Sequence, residues 1–383
     1  MRLFKFIVIA IVSVLYIPGA CIAAPSVSNV VGTVSDGQNI VISGSSLGTN
    51  SLDIQWLNPN IEAGTTDADV SLPAGWTSAT TTADYESPIY SETKAHSGAK
   101  SIKSSTPDVD QYESFFYYDY GSDISSIYLS WWVYIENLAC TGDCIGGSQW
   151  KIFRLTSGED ALFADRNESN FYLTQQVAAP TATFVGGNYM FYNFCLDDAA
   201  SYDLNCYGGI NPATNPGLYR PNGIIEGGWR RVEIWAIPST EDTQDGTVIV
   251  NLFDGTNTIT SYVDYDGDTR TRSSAYTWRY AVWQNYLGNG LDYGDIYIDD
   301  VFVQVGSQAR VEIGDNATWA NCTHREIQIP TVWAVDEITI TVNQGSFENG
   351  TAYLFVVDSD GTASDGYPIQ FGTFDGKSRG ISF

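Results

Sequence analysis

Three stretches set aromatic rings beside groups that can hold charge: "WRRVEIWA" (229–236), "QWKIFRL" (149–155) and "TWRYAVWQNYLGNG" (277–290). Side chains on a strand alternate between faces. In the first stretch Trp229, Arg231, Glu233 and Trp235 therefore share one face, and Arg230, Val232, Ile234 and Ala236 the other. Val232 and Ile234 read as core-facing, which leaves the Trp/Arg/Glu/Trp side as the open, concave one. Rings offer platforms for the CH faces of sugars, while guanidinium and carboxylate groups fix hydroxyls or uronates. The plainer alternative is a solvated strand face with an internal Arg–Glu pair.

The second stretch puts Trp150, Ile152 and Arg154 on one face and Lys151, Phe153 and Leu155 on the other. Lys151 and Arg154 can line one groove only if a bulge intervenes. The third adds Trp278, Arg279, Trp283, Gln284 and Tyr286. Cross-strand aromatic packing competes with ligand contact for each Trp. The candidate ligand contacts are thus Trp229, Arg231, Glu233, Trp235, Lys151, Arg154, Trp283 and Gln284.

Catalysis is permitted without being indicated. β-Elimination on a uronate needs a carboxylate neutraliser together with a base and an acid. Arg231, Lys151, Gln284 and the many Tyr could supply them. The chain has two His, His96 in an "HSG" turn and His324 far downstream, and neither falls in a groove motif. A glycosidase needs paired carboxylates across one groove, and beyond Glu233 no such cluster stands out.

The elements that must hold these residues are strands. Tyr and Trp are abundant, and Gly, Thr, Ser, Asn and Asp punctuate short alternating runs, an all-β composition. The N-terminus "MRLFKFIVIAIVSVLYIPGACIAAP" has the layout of a secretory signal peptide, residues 1–23, with cleavage expected after Ala23. The product is expected to be secreted or held at the cell surface. Acylation at Cys21 is the competing lipoprotein reading. No later run is long and apolar enough to span a bilayer. Cleavage removes Arg2 and Lys5 and no acid, taking the formal charge from −27 to −29. Such a surface repels phosphate backbones, which argues against nucleic acid as a partner.

In an exported chain "CTGDC" (Cys140, Cys144) and "CLDDAASYDLNC" (Cys195, Cys206) read as two local disulfides, with zinc ligation as the weaker alternative. Cys322 is left as a buried thiol. "DYDGDT" (264–269) is a hairpin turn rather than a calcium loop, because Thr269 stands where that loop requires Gly.

Family resemblances organise the rest. Pro25, Gly32, Gly37, Gln38, Ile42, Gly44 and Gly48 resemble the opening of an IPT/TIG domain, a small immunoglobulin-like sandwich. Too few strands follow before the character changes near Trp56. Strands around Val311, Ile327, Ile340 and Phe355 resemble the missing remainder. Together, 24–55 plus 309–372 approach the ~100 residues that such a sandwich needs. The reading is a discontinuous immunoglobulin-like sandwich interrupted by residues 56–308, with 373–383 as a C-terminal tail. A domain can be inserted where its host's two crossing points are close together.

The insert opens with Asn60, Glu62, Gly64, Gly75 and Trp76, continues through Ser97, Gly98 and Ser101, and closes on "YIDDVFVQ". That order resembles jelly-roll carbohydrate-binding modules. Its length, and Trp229, Glu233, Asp245, Gly246, Asp254 and Gly255, resemble a larger concanavalin-like (laminin-G or polysaccharide-lyase) sandwich. "KIFRL" is similar to a lyase strand in which a basic residue meets acidic polysaccharide. The jelly-roll resemblance implies a structural calcium on Glu62 and Asp300, oxygen ligands suited to that ion. The leading expectation is an exported protein that binds extracellular polysaccharide or cell-surface glycan through the insert, the host sandwich acting as spacer. The alternatives are a polysaccharide lyase acting on an acidic polysaccharide, and an adhesive surface protein without a small ligand.

Overall fold

The computed structural model describes residues 23–80, 87–106, 112–122, 124–139, 148–156, 170–177, 194–197, 204–207, 227–240, 243, 245–253, 260–267, 278–288 and 293–372. Its strands are β1 (Ser26–Val31), β2 (Asn39–Ser45), β3 (Ile54–Trp56), β4 (Trp76–Thr80), β5 (Ile89–Ser91), β6 (Ser101–Thr106), β7 (Tyr112–Asp119), β8 (Ile127–Ala139), β9 (Ser148–Thr156), β10 (Asn170–Val177) and β11 (Phe194–Asp197). They continue with β12 (Leu204–Tyr207), β13 (Arg230–Ile237), β14 (Gly246–Phe253), β15 (Thr260–Gly267), β16 (Tyr280–Gly288), β17 (Tyr293–Val305), β18 (Arg310–Gly314), β19 (Arg325–Trp333), β20 (Glu337–Thr341), β21 (Thr351–Val357) and β22 (Tyr367–Gln370). One short helix, α1 (Asn58–Ala63), carries Pro59 in its first turn, where a missing N–H costs nothing. The described chain is all-β, as its alternating patterns require.

Two antiparallel sheets form the larger lobe. One runs β12-β11-β10-β9-β16-β7-β4; the other runs β15-β14-β13-β8-β17-β6-β5, with β3 also on β17. The alternation of β8 explains the packing. Leu129, Trp131, Val133 and Ile135 point into the sandwich, joined by Val232, Ile234 and Ala236 of β13. Phe116, Phe153 and Trp283 meet them from the facing sheet. Phe116 stacks on Trp283 at 5.4 Å, and Trp131 meets Phe153 at 4.8 Å. Each large apolar side chain buried this way contributes roughly 1.5–3 kcal/mol.

The remaining strands make the second lobe, a sheet ordered β1-β2-β20-β19-β18-β21-β22. It curls on itself, so Ile40 and Ile42 of β2 share a core with Val311, Ile313, Leu354 and Val356. The N-terminal strand Asn39–Ser45 is hydrogen-bonded to Glu337–Thr341, some three hundred residues away; Ile40 pairs with Ile340. The chain enters and leaves the larger lobe side by side. Gln55 pairs with Val303, and Asn50 donates to Gln304 Oε1 and to the Ala309 carbonyl. β3 already belongs to the larger lobe, so the change of lobe falls just before Ile54.

Strand β17 shifts register between Asp299 and Phe302. Asp300, at the shift, has φ +50°, an uncommon conformation for a residue with a side chain. The bulge directs both carboxylates of "IDD" at the loop around His96, which they hold by hydrogen bonds.

Candidate functional site

The face predicted to be open is covered. Alternation along β13 is as expected, with Val232 and Ile234 in the core, but the opposite side packs against the second lobe. Arg231 is 0% and Glu233 3% exposed. Arg231 donates to Ser130 Oγ (2.7 Å), the Arg325 carbonyl (2.9 Å), Tyr128 (3.2 Å) and Glu312 Oε1 (2.8 Å). Arg310 donates to Glu233 Oε1 at 2.7 Å. Arg325 completes the network 3.6 Å from Glu312 and 3.7 Å from Glu233. Trp235 packs beside Tyr128, Phe302 and Ile327, and Trp229 lies edge-on to His96 and Tyr134. These residues join two lobes. Sequence alternation told the two faces of β13 apart but could not say what lay over the polar one.

Within this network the partners hold Glu312, Arg231 and Arg310 ionised, while burial lowers the pKa of Arg325. Burial opposes the Glu312 carboxylate, but Arg310, Arg325 and Arg231 outweigh it and keep its pKa far below the ordinary range. Burial likewise opposes the Arg231 charge, and Tyr128, Glu312 and Glu233 more than reverse it.

Glu62 and Asp300 each accept from protein donors on the 96–100 loop. The Glu62 carboxylate accepts from the Ala99 and Lys100 amides. Asp300 accepts from Ser97 Oγ at 2.7 Å and lies 2.7 Å from His96 Nδ1. Asp299 takes the His96 and Ser97 amides. Protein donors thus occupy the oxygens that calcium was expected to use, and the two carboxylates grip opposite ends of one loop.

Trp283 is also reassigned: it is 0% exposed within the sandwich core. Adjacent residues on a strand cannot share a face, so its burial turns Gln284 outward. Phe153 and Arg154 divide in the same way. The outer face of the β9–β16–β7 region is where Arg154 and Gln284 converge, with Arg154 Nε donating to Gln284 Oε1 at 2.9 Å. Arg154 is 5% and Gln284 1% exposed, and Gln284 Nε2 has no hydrogen-bond partner.

Val282 is the register partner of Arg154 and Tyr117 that of Val282, while Phe115 stands opposite Gln284. Tyr280 lies one alternation further along β16 and meets Tyr117 edge-on at 5.7 Å. The alternation Tyr280–Val282–Gln284 was the signal that could have picked these tyrosines out. The bulge condition for Lys151 is met in the backbone: register shifts fall between Lys151 and Phe153 in the pairings with both β10 and β16. Among the described residues, both His lie in the other sheet's contact with the second lobe.

Cys195 and Cys206 are direct register partners on β11 and β12. Cys140, Cys144, Asp254, Gly255 and residues 1–22 and 373–383, with most of the expected signal peptide and all of the expected tail, fall outside the described residues. Cys322 is a buried free thiol. No helix among the described residues is long and apolar enough to cross a membrane.

No protein-family model matches the chain. No curated protein matches it either. Among solved structures it is similar to an endo-β-1,4-glucuronan lyase from the fungus Trichoderma reesei, with 10% identity, 67% of this chain and 95% of that chain covered, and a TM-score of 0.40. It is also similar to alginate lyase Aly36B in complex with alginate trisaccharide (11%, 66% and 98%, 0.44). A third is the marine alginate lyase from Aplysia kurodai (13%, 57% and 87%, 0.38). With TM-scores below 0.5, these likenesses carry no argument about this chain's chemistry.

Proposed function

We propose that the chain is a polysaccharide lyase acting on an acidic, uronate-containing extracellular polysaccharide, with the outer face of the β9–β16–β7 region as its site. The curled lobe serves as an IPT/TIG-like structural spacer. One observation carries the reading: the unpartnered Gln284 amide beside the Arg154 guanidinium. Arg154 spends its Nε–H on Gln284 Oε1, which fixes the two side chains relative to one another. The Gln284 Nε2 hydrogens are then left without an acceptor in a buried setting, a cost of about 1–3 kcal/mol unless a ligand supplies one. A uronate carboxylate is an acceptor of the right kind, and shielding from solvent strengthens its contact with a guanidinium.

In β-elimination a base takes the proton α to the carboxylate. Negative charge then develops on the carboxylate oxygens, and the glycosidic oxygen leaves with a proton from an acid. Arg154 and Gln284 are suited to stabilise that developing charge. Tyr117 and Tyr280 are hydroxyl groups of the same face, and Lys151 joins them by strand position, as proton carriers. His96 and His324 are committed elsewhere.

The test is to incubate the mature protein with polyglucuronate, alginate and pectin while following the near-ultraviolet absorbance of the unsaturated uronate. Absorbance should rise on at least one substrate and fall by two or more orders of magnitude in Arg154→Ala and Gln284→Ala. A flat trace with all three, from folded protein, refutes the lyase reading. Retained affinity without cleavage would leave a glycan-binding module.

A further inference from the structure

The chain's two histidines, separated by more than two hundred residues, converge on one carboxylate. His324 Nε2 lies 2.6 Å and His96 Nε2 3.5 Å from Glu326 Oε1. One ligand atom from each of the three residues falls within 4.8 Å of the others. From this geometry we propose that His96, His324 and Glu326 form a first-row transition-metal site, with Zn²⁺ as its fitting ion, clamping the larger lobe to the curled lobe.

Two imidazoles and one carboxylate are a ligand set that zinc accepts, with the fourth position left to water or a hydroxyl. In a tetrahedral site with bonds of 2.0–2.1 Å, ligand atoms stand about 3.3 Å apart. The His96–Glu326 separation is already near that value, and the His324–Glu326 contact opens as the metal replaces the shared proton. Ser346 Oγ lies 3.3 Å from His324 Nε2 and 3.5 Å from Glu326 Oε1, and the Ser346 amide donates to that same oxygen at 3.2 Å, a bond the metal would compete with.

The surroundings hold these ligands as a metal site requires. His96 Nδ1 faces Asp300 Oδ2 at 2.7 Å. A proton donated there leaves Nε2 with its lone pair toward the site, the carboxylate–histidine–metal relay. Glu326 Oε2 is fixed by the Trp132 indole N–H at 3.1 Å. Trp132 stacks on His96 at 3.7 Å, and Phe347 on His324 at 4.1 Å. Gly345 has φ +55°, and a Cβ there would stand 2.2 Å from the Glu326 carboxyl carbon, so the backbone approaches this carboxylate as only glycine allows. His324 keeps 18% of its side chain exposed, a route for the ion.

To test this, the mature protein is freed of metal with a chelator and titrated with Co²⁺. The expected result is visible d–d absorption saturating at one equivalent, displaced by Zn²⁺ and without a sulfur charge-transfer band. Zn²⁺ should raise the melting temperature of the wild type. His324→Ala should lose about 100-fold or more in affinity and its zinc-dependent rise in melting temperature. His324→Gln, which keeps a hydrogen-bonding group beside Glu326, serves if the alanine variant does not fold. No uptake by the wild type, equal affinity in the variant, or a thiolate band would each overturn the proposal. Lyase activity is not read in this experiment, so its result is independent of the function proposed above.

Discussion

Replacing Glu312 by Gln tests whether the two lobes are held by charge. Glu312 is fully buried and lies 2.8 Å from Arg231, 3.4 Å from Arg310 and 3.6 Å from Arg325. It also accepts the Trp319 indole N–H at 2.7 Å. At an effective dielectric of about 20, one unit pair at such distances is worth roughly 5–6 kcal/mol gross. Desolvation of the carboxylate offsets much of that. Breaking a buried network by removing one partner typically costs about 3–5 kcal/mol, because the remaining charges stay buried without compensation. The network holds three guanidinium groups against Glu233 and Glu312, so the variant leaves one carboxylate for three cations. At roughly 2–4 °C per kcal/mol, the melting temperature should fall by about 6–20 °C. Thermal unfolding by circular dichroism measures it. A double variant, Glu312→Gln with Arg231→Met, should lose less than the sum of the two single changes, since it removes one charge of each sign. A Glu312→Gln protein within about 1 kcal/mol of wild type, or strict additivity in the double variant, would refute the reasoning.

Other outcomes follow from the same structure. Glu326, burial notwithstanding, is pulled down to about 2 by His96 and His324, so its stabilisation is complete above the unfolded value of ~4.3 and is lost as pH falls toward about 2. Asp299 and Asp300 are raised, chiefly by burial, so they cost stability as pH rises above the unfolded ~3.9. Together these trends put the highest melting temperature near pH ~4, where the Glu326 gain gives way to the Asp299 and Asp300 loss, and a melting profile that climbs steadily from pH ~5 to ~8 would contradict them. Burial pushes the Cys322 thiol up to about 11, so it should resist thiol reagents in the native protein and react on unfolding. If Cys140–Cys144 and Cys195–Cys206 are bridged and residues 1–23 are removed as proposed, it is the one thiol then titrated in the unreduced chain. Gly98→Ala should destabilise by about 1–3 kcal/mol in a denaturant melt, since Gly98 sits at φ +60° and a new Cβ would stand 2.4 Å from Glu62 Oε1. An unchanged midpoint would show that Glu62 does not hold that loop.

Periodicity was enough for the local structure. The alternation in "WRRVEIWA" separated Val232 and Ile234 from Arg231 and Glu233, because strand side chains alternate whatever packs on them. An N-terminal strand with too few local partners pointed to a distant mate, and Asn39–Ser45 pairs with Glu337–Thr341. What each face meets was not local. Arg231 and Glu233 looked like an open sugar platform until a second lobe covered them with Arg310, Glu312 and Arg325. Trp283 looked like a stacking ring until its neighbour Gln284 was found turned outward beside Arg154. The same holds for the histidines: nothing in "HSG" or "THREIQ" refers to the other. Only a bulge at Asp299–Asp300 and the docking of β19 on the larger lobe bring His96, His324 and Glu326 together. A sequence determines pattern along a strand because that depends on backbone geometry alone. Which patterned faces meet depends on sheets packing across the whole chain, and there the tertiary structure decides.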